Sequence, residues 1–160
     1  MMKMFLSLVG VVLLAFVALG AVFVCGMRAQ WPPVVDTVRR LNMRVFNPRQ
    51  METAGQPGAF AGVLRHTGRN SGTSYETPLG IEPIDDDFLI ALVYGERTQW
   101  VKNVLASGSA EIVLEGVTYQ VDRPEVIPVE ACSNSFSATD QRFQCILGVK
   151  TALRLHRVAA

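Results

Sequence analysis

The beginning of the chain limits its possible folds most. Residues 4–27, MFLSLVGVVLLAFVALGAVFVCGM, carry no charge over 24 positions. As a helix rising about 1.5 Å per residue, the run is roughly 36 Å long, enough to cross a hydrocarbon core of about 30 Å with some tilt. A secretory signal has a shorter apolar region, about 7–15 residues, closed by small residues at a cleavage site. This run is longer and passes into Cys25, Gly26, Met27 and Arg28 with no such pattern. A lipoprotein cysteine at Cys25 fits no better, because bulky Val24 precedes it. Residues 1–28 therefore read as an uncleaved transmembrane anchor. Lys3 and the amino terminus flank one side; Arg28, Arg39, Arg40 and Arg44 flank the other. Positive charge stays on the cytoplasmic side. The expectation is a single-pass protein of the cell membrane, N-terminus outside and the remaining domain cytoplasmic.

Beyond the anchor, residues 29–57 read as a juxtamembrane helix and linker. Trp31 with Pro32 and Pro33 marks the membrane boundary and a stiff break. VVDTVRRLNMRVF, residues 34–46, places Val34, Val38, Leu41 and Val45 at helical spacing, with Arg39, Arg40 and Arg44 on other faces. Such a helix suits the inner leaflet, and it suits equally the solvated edge of a domain. Asn47-Pro48 is expected to end it, and residues 51–58 to form a loop. The net charge of +1 gives no global field to recruit nucleic acid. Three cysteines, one inside the apolar run, form neither a disulfide framework nor a metal-ligand spacing, in keeping with a reducing compartment.

From residue 58 to 160 the signals are mainly β. Residues 59–66 and 74–82 read as strands around the turn GRNSG, with Tyr75, Thr77, Leu79 and Ile81 on one face of the second. PIDDD, residues 83–87, has three aspartates but no companion ligands, so it reads as a turn and not a metal site. FLIALVY, residues 88–94, is apolar enough for a strand buried on both faces. Residues 98–107 form a short helix with a Thr98 cap, stopped by Gly108. A hairpin follows, 110–114 with 117–122 around Glu115-Gly116. Residues 124–140 read as a helical turn and loop, and 151–158 as a closing strand. About six strands with one inserted helix predict a mainly β, α+β fold: a small split β-barrel after the transmembrane helix.

Chemistry gathers in two stretches. HTGRNSGTSYETPL, residues 66–79, crowds glycines, hydroxyls and one arginine into a turn. Glycine lets consecutive backbone amides aim at one point, and an arginine adds a bidentate cation. The turn can therefore cradle a phosphate or carboxylate, or simply be a polar turn. VYGERTQWVKN, residues 93–103, runs from a strand end to a helix start, a natural place for an anion. Trp100 and Asn103 share a helix face there, and Trp100 suits core packing as well. His66 and His156 read as ordinary strand-end residues.

Together these stretches carry a GR-x-SG turn, a Tyr-x-Thr-Pro strand, an aromatic-Gly strand end and W-x-x-N on a helix. In that order they resemble the deazaflavin-dependent nitroreductase family of split β-barrel oxidoreductases, over about residues 59–123. The resemblance implies an enzyme that binds coenzyme F-420, with FMN as second choice. It passes hydride to an electron-poor acceptor such as a nitro compound or a quinone, and the apolar anchor favours a membrane quinone. By the same resemblance Thr67, Gly68, Arg69, Ser71 and Gly72 would hold the coenzyme's phosphate and acidic tail. Tyr75, Thr77 and Pro78 would line the groove. Tyr94, Gly95, Trp100 and Asn103 would approach the ring or the phosphate end, and the Tyr75 and Tyr94 hydroxyls would serve catalysis. Asn70 stands where many members have a second basic residue, and Tyr94 where some have lysine, leaving Lys102 or Arg97 to compensate. The same barrel without turnover would hold a coenzyme, haem or fatty acid. Split barrels often pair, so a homodimer is expected.

Overall fold

The strands are β1 (Gly62–Thr67), β2 (Ser74–Leu79), β3 (Glu82–Ile84), β4 (Asp87–Ala91), β5 (Ser109–Leu114), β6 (Val117–Pro128) and β7 (Thr151–Arg157). In the structure, a computed structural model describing residues 2–158 with side chains from residue 9 onward, all pair antiparallel in the order β2-β1-β5-β6-β7-β4-β3. Only Gly80 and Ile81 separate β2 from β3, so the chain itself links the two edges of a curled half-barrel. This is the split barrel expected from sequence, with seven strands instead of about six. The added strand, β3, is three residues long and carries Pro83, which suits an edge where no ladder donor is needed.

β6 closes the barrel. It pairs with β5 through Asp122, then shifts register between Asp122 and Glu125 to continue along β7 to Pro128. Arg123 takes a left-handed φ of 46° there, and Pro124 has no N–H to donate. The irregularity bends the strand so that one element serves both halves of the sheet. Residues past 122, expected to be helical turn and loop, instead complete β6. They are followed by two 3-10 turns and a helix.

The barrel is plugged by α4 (Gln99–Ser107). Val101 and Val104 are fully buried against Leu64, Ile112, Leu153 and Leu155. Gly108 ends α4 as expected, at φ 72°. Thr98 occupies the N-cap, but its hydroxyl donates to the Gly95 carbonyl (3.3 Å) and caps no α4 amide.

Helix α1 (Met2–Arg28) contains a stretch, Val9–Arg28, long and apolar enough to cross a membrane, and from Val9 it is almost wholly exposed until its last turn. Its end belongs to the domain. Met27 is 1% exposed, in a cluster with Val35 of α2 (Pro32–Leu41) and Leu147 of α5 (Ala138–Leu147). Gly26 is required at the α1–α2 crossing, where an added Cβ would lie 2.8 Å from the Val34 Cβ. Arg28 Nη1 donates to the carbonyls of Cys145 (2.5 Å) and Ile146 (3.2 Å) at the C-terminal end of α5. Asn47-Pro48 does not stop the helical segment that begins with α2. A π turn over Asn42–Phe46 widens the backbone, Asn47 N bonds back to Asn42 O, and α3 (Asn47–Met51) continues with Pro48 in its first turn.

Candidate functional site

The β1–β2 turn is built around Gly68. Its amide donates to Thr73 O and its carbonyl accepts from Gly72 N, each at 2.8 Å. A Cβ on Gly68 would lie 2.5 Å from Ser71 Oγ and 2.7 Å from Tyr75 Cε2, so any larger residue would displace those two side chains. Gly72 takes φ 66° with open space beside it. Ser71 Oγ accepts from the Thr73 amide (3.3 Å) and lies 3.4 Å from the Tyr75 hydroxyl.

Arg69 ties this turn to α4. Its amide and Nη1 both donate to Asn103 Oδ1, at 3.3 and 2.9 Å, and Nη2 donates to Gln99 Oε1 at 3.0 Å. Asn103 is buried, and its Nδ2 meets Nδ1 of buried His66 at 3.3 Å. His66 Nε2 meets the Thr77 hydroxyl at 3.3 Å, and the imidazole stacks on Tyr75 with centroids 5.7 Å apart. Burial pushes the His66 ring below its ordinary value, favouring the neutral form.

The charges of this group do not cancel. Arg39 pairs with Asp36, Arg65 with Glu76 and Glu111, Arg123 with Asp122, and Arg154 with Asp87. Among the described residues Arg69 meets no carboxylate. Two neutral amide oxygens hold its guanidinium in place and leave its positive charge uncompensated. Gln99 is the first residue of α4, so Arg69 also stands at the end of that helix where free N–H groups gather. An oriented cation, exposed hydroxyls and an uncapped helix start form a donor-rich set that fits an anionic group.

Of the residues singled out in the sequence, Arg69, Ser71, Tyr75, Thr77 and Asn103 are brought together, with Gly68 and Gly72 shaping the turn. Strand alternation sets Thr67 with Arg65, and buried Pro78 beside Val63, on the sheet face opposite Tyr75 and Thr77. Tyr94 and Gly95 lie in the turn after β4. Tyr94 packs against the cluster of Met27, Val35 and Leu147, which raises its hydroxyl pKa by burial. Gly95, at φ 72°, abuts the Gln30 side chain. Trp100 packs on the barrel core.

Two members of the network, His66 and Gln99, were not picked out in the sequence. The signals were present. His66 lies two residues after buried Leu64 on the same strand face, and Gln99 lies four before Asn103 on one helix face. Two hollows open elsewhere, one between Asp85, Tyr119 and Arg157 and one between Leu89, Cys132 and Arg154. Neither includes a residue of this network.

Comparison with known structures agrees with the architecture. A structure described as a domain-swapped dimer is 13% identical, with a TM-score of 0.50, covering 76% of this chain and 98% of that one. An F420-H2 dependent reductase is 13% identical with a TM-score of 0.48, covering 61% of this chain and 94% of that one. A haem storage protein from Vibrio cholerae is 10% identical with a TM-score of 0.48, covering 71% and 90%. Among curated proteins, none matches. The family model that matches, over residues 39–132, runs from the end of α2 through the β1–β2 turn and α4 to just past β6. By that match the chain belongs to the F420H(2)-dependent quinone reductase family.

Proposed function

We propose that this enzyme is anchored in the cell membrane by α1 and reduces a membrane quinone with coenzyme F-420 from the cytoplasmic side. The observation that carries the reading is Arg69, a cation oriented by Asn103 and Gln99 with no carboxylate to neutralise it. The Arg69 guanidinium and the Ser71 hydroxyl would hold the phosphate and acidic tail of the coenzyme, with Gly68 and Gly72 shaping the turn that presents them. When bound, the coenzyme supplies a hydride to an electron-poor acceptor. Tyr75, 46% exposed beside Ser71, offers its hydroxyl to hydrogen-bond the acceptor oxygen or deliver a proton to it. Tyr94 is read as packing instead. The family match points to coenzyme F-420 and gives no support to FMN.

Membrane attachment rests on α1 and the segment behind it. Trp31, Leu41, Met43 and Phe46 are exposed apolar side chains, interspersed with Arg39, Arg40, Arg44 and Arg49. That mixture suits an anionic leaflet. Residues 1–28 would span the bilayer, 29–57 lie at its surface, and 58–160 form the coenzyme-binding barrel. A homodimer, the assembly named for one structural relative, is the expected state, and light scattering of the detergent-solubilised protein tests it. Function is tested by mixing the full chain in vesicles with reduced coenzyme F-420 and menaquinone. Coenzyme oxidation that depends on the quinone, and that drops in Arg69→Ala, is the expected result. Turnover with soluble nitro compounds but not with quinone would refute the acceptor assignment.

A further inference from the structure

We propose that His66 is a positioning residue for the anion cradle, a neutral imidazole that fixes the Asn103 amide and, through it, the Arg69 guanidinium. The proposal rests on reading Arg69 as the cation that holds the coenzyme. It assigns a role to a histidine that contacts neither the turn's open side nor any acceptor.

The chemistry of the donors determines every link. A guanidinium only donates, so the atom of Asn103 that meets Arg69 must be the oxygen. The amide nitrogen is therefore turned toward His66 Nδ1, 3.3 Å away. An NH2 group only donates, so Nδ1 must accept and carry no proton. The single ring proton then sits on Nε2 and is donated to Thr77 Oγ1. Stacking on Tyr75 holds the ring plane, and burial keeps water from substituting for either partner.

A proton added to Nδ1 sets two donors face to face. The Asn103 amide must then either turn, presenting NH2 to the guanidinium, or lose the histidine. The first outcome releases Arg69, and the second leaves the amide that holds it unbraced. The charged and titratable groups around the ring are few. β2 presents Tyr75, and the turn presents Arg69 beyond Asn103. α4 presents neutral Asn103 and Gln99, and β5 contributes Ala110 and Ile112 to the core beside Leu64. Arg65, next in β1, points to the other face and is paired there with Glu76 and Glu111. Among the described residues no carboxylate is hydrogen-bonded to the ring to stabilise its charged form.

Two variants and one spectrum test this on the full chain in detergent. His66→Gln keeps an acceptor and a donor but does not titrate; His66→Phe keeps the stack and removes both nitrogens. At a pH of about 7.5, His66→Phe should weaken coenzyme F-420 binding, followed by its fluorescence, about tenfold, while His66→Gln stays near wild type. Lowering the pH to about 5.5 should weaken wild type several-fold more than His66→Gln. Protonation of the coenzyme itself affects both proteins equally and cancels in that ratio. Nitrogen NMR of the histidine rings needs no coenzyme. The signals absent from His66→Gln should be those of a neutral ring protonated on Nε2. A ring protonated on Nδ1 at neutral pH overturns the proposal, as do identical pH profiles for wild type and His66→Gln. Arg69→Ala run in parallel separates the two claims. If it binds like wild type, the cradle itself fails; if it weakens while both His66 variants do not, only the positioning role fails.

Discussion

Arg28 and Arg69 sit at opposite kinds of site. Arg28, at the end of α1, donates to the last carbonyls of α5, where the helix leaves acceptors unpaired and its dipole is negative. Its charge serves the fold. Arg69 stands at the start of α4, where the dipole is positive, and is held by amide oxygens that orient it without neutralising it. Its charge meets no carboxylate among the described residues. Around Arg28 the packing is close, with Met27 buried and Gly26 pressed on Val34; around Gly72 there is open space. A closely packed junction and an open turn thus use the same side chain and differ in what satisfies it.

The largest expected effect strikes the junction. Met27→Ala should cost about 2–5 kcal/mol of stability, because a buried side chain at 1% exposure leaves a cavity. Urea unfolding of the detergent-solubilised chain measures it, and a loss under half a kcal/mol would mean α1 is only a tether. At the cradle the loss should be in binding instead. Arg69→Ala is expected to weaken coenzyme F-420 at least about tenfold, roughly 1.5–3 kcal/mol for a charge-assisted contact, with the unfolding midpoint nearly unchanged. A variant that lost stability and kept affinity would reverse the comparison.

A third prediction concerns pH. His66 is pushed below its ordinary value of about 6.5 in the folded state, so the unfolded chain binds the proton more readily. The stabilisation of the neutral ring is complete above about 6.5 and declines as pH falls from there through the lowered folded value. His66→Gln should flatten that part of the stability curve while leaving the Arg28 junction unaffected. The smallest effect belongs to Arg28→Met. It loses a helix-end interaction of about 0.3–1 kcal/mol, since the solvent-facing guanidinium is partly screened and the methylene stem is retained.

Much of the fold was legible because it rests on neighbours in sequence. The β5–β6 hairpin follows from Glu115 and Gly116, both left-handed at φ 52° and 76°. β4 follows from its apolar run, and the end of α4 from Gly108. α5 was missed although its caps are local. Ser137 Oγ accepts from the Asp140 amide at 3.1 Å and Gly148 ends the helix at φ 66°, but ATDQRFQCIL has too weak an apolar stripe to stand out. The helical segment after α1 passed its expected stop at Pro48 because a π turn absorbed the proline.

The candidate site divides along the same line. The glycines, hydroxyls and arginine of the turn are adjacent in the chain, and their chemistry could be read directly. The partners that orient Arg69 lie 30 and 34 positions away, and Asn103 lies 37 from His66. Strand alternation set Pro78 and Thr67 on the face opposite Tyr75, and packing against α1 drew Tyr94 away from the polar network. By itself, then, the sequence determined an apolar span, a β-rich domain and a glycine-arginine turn, since those depend on propensities acting over a few residues. Only the tertiary structure decided that a buried histidine and an asparagine would fix that arginine. Such contacts depend on strand register and on how α4 crosses the sheet, neither of which is written in any short stretch of the chain.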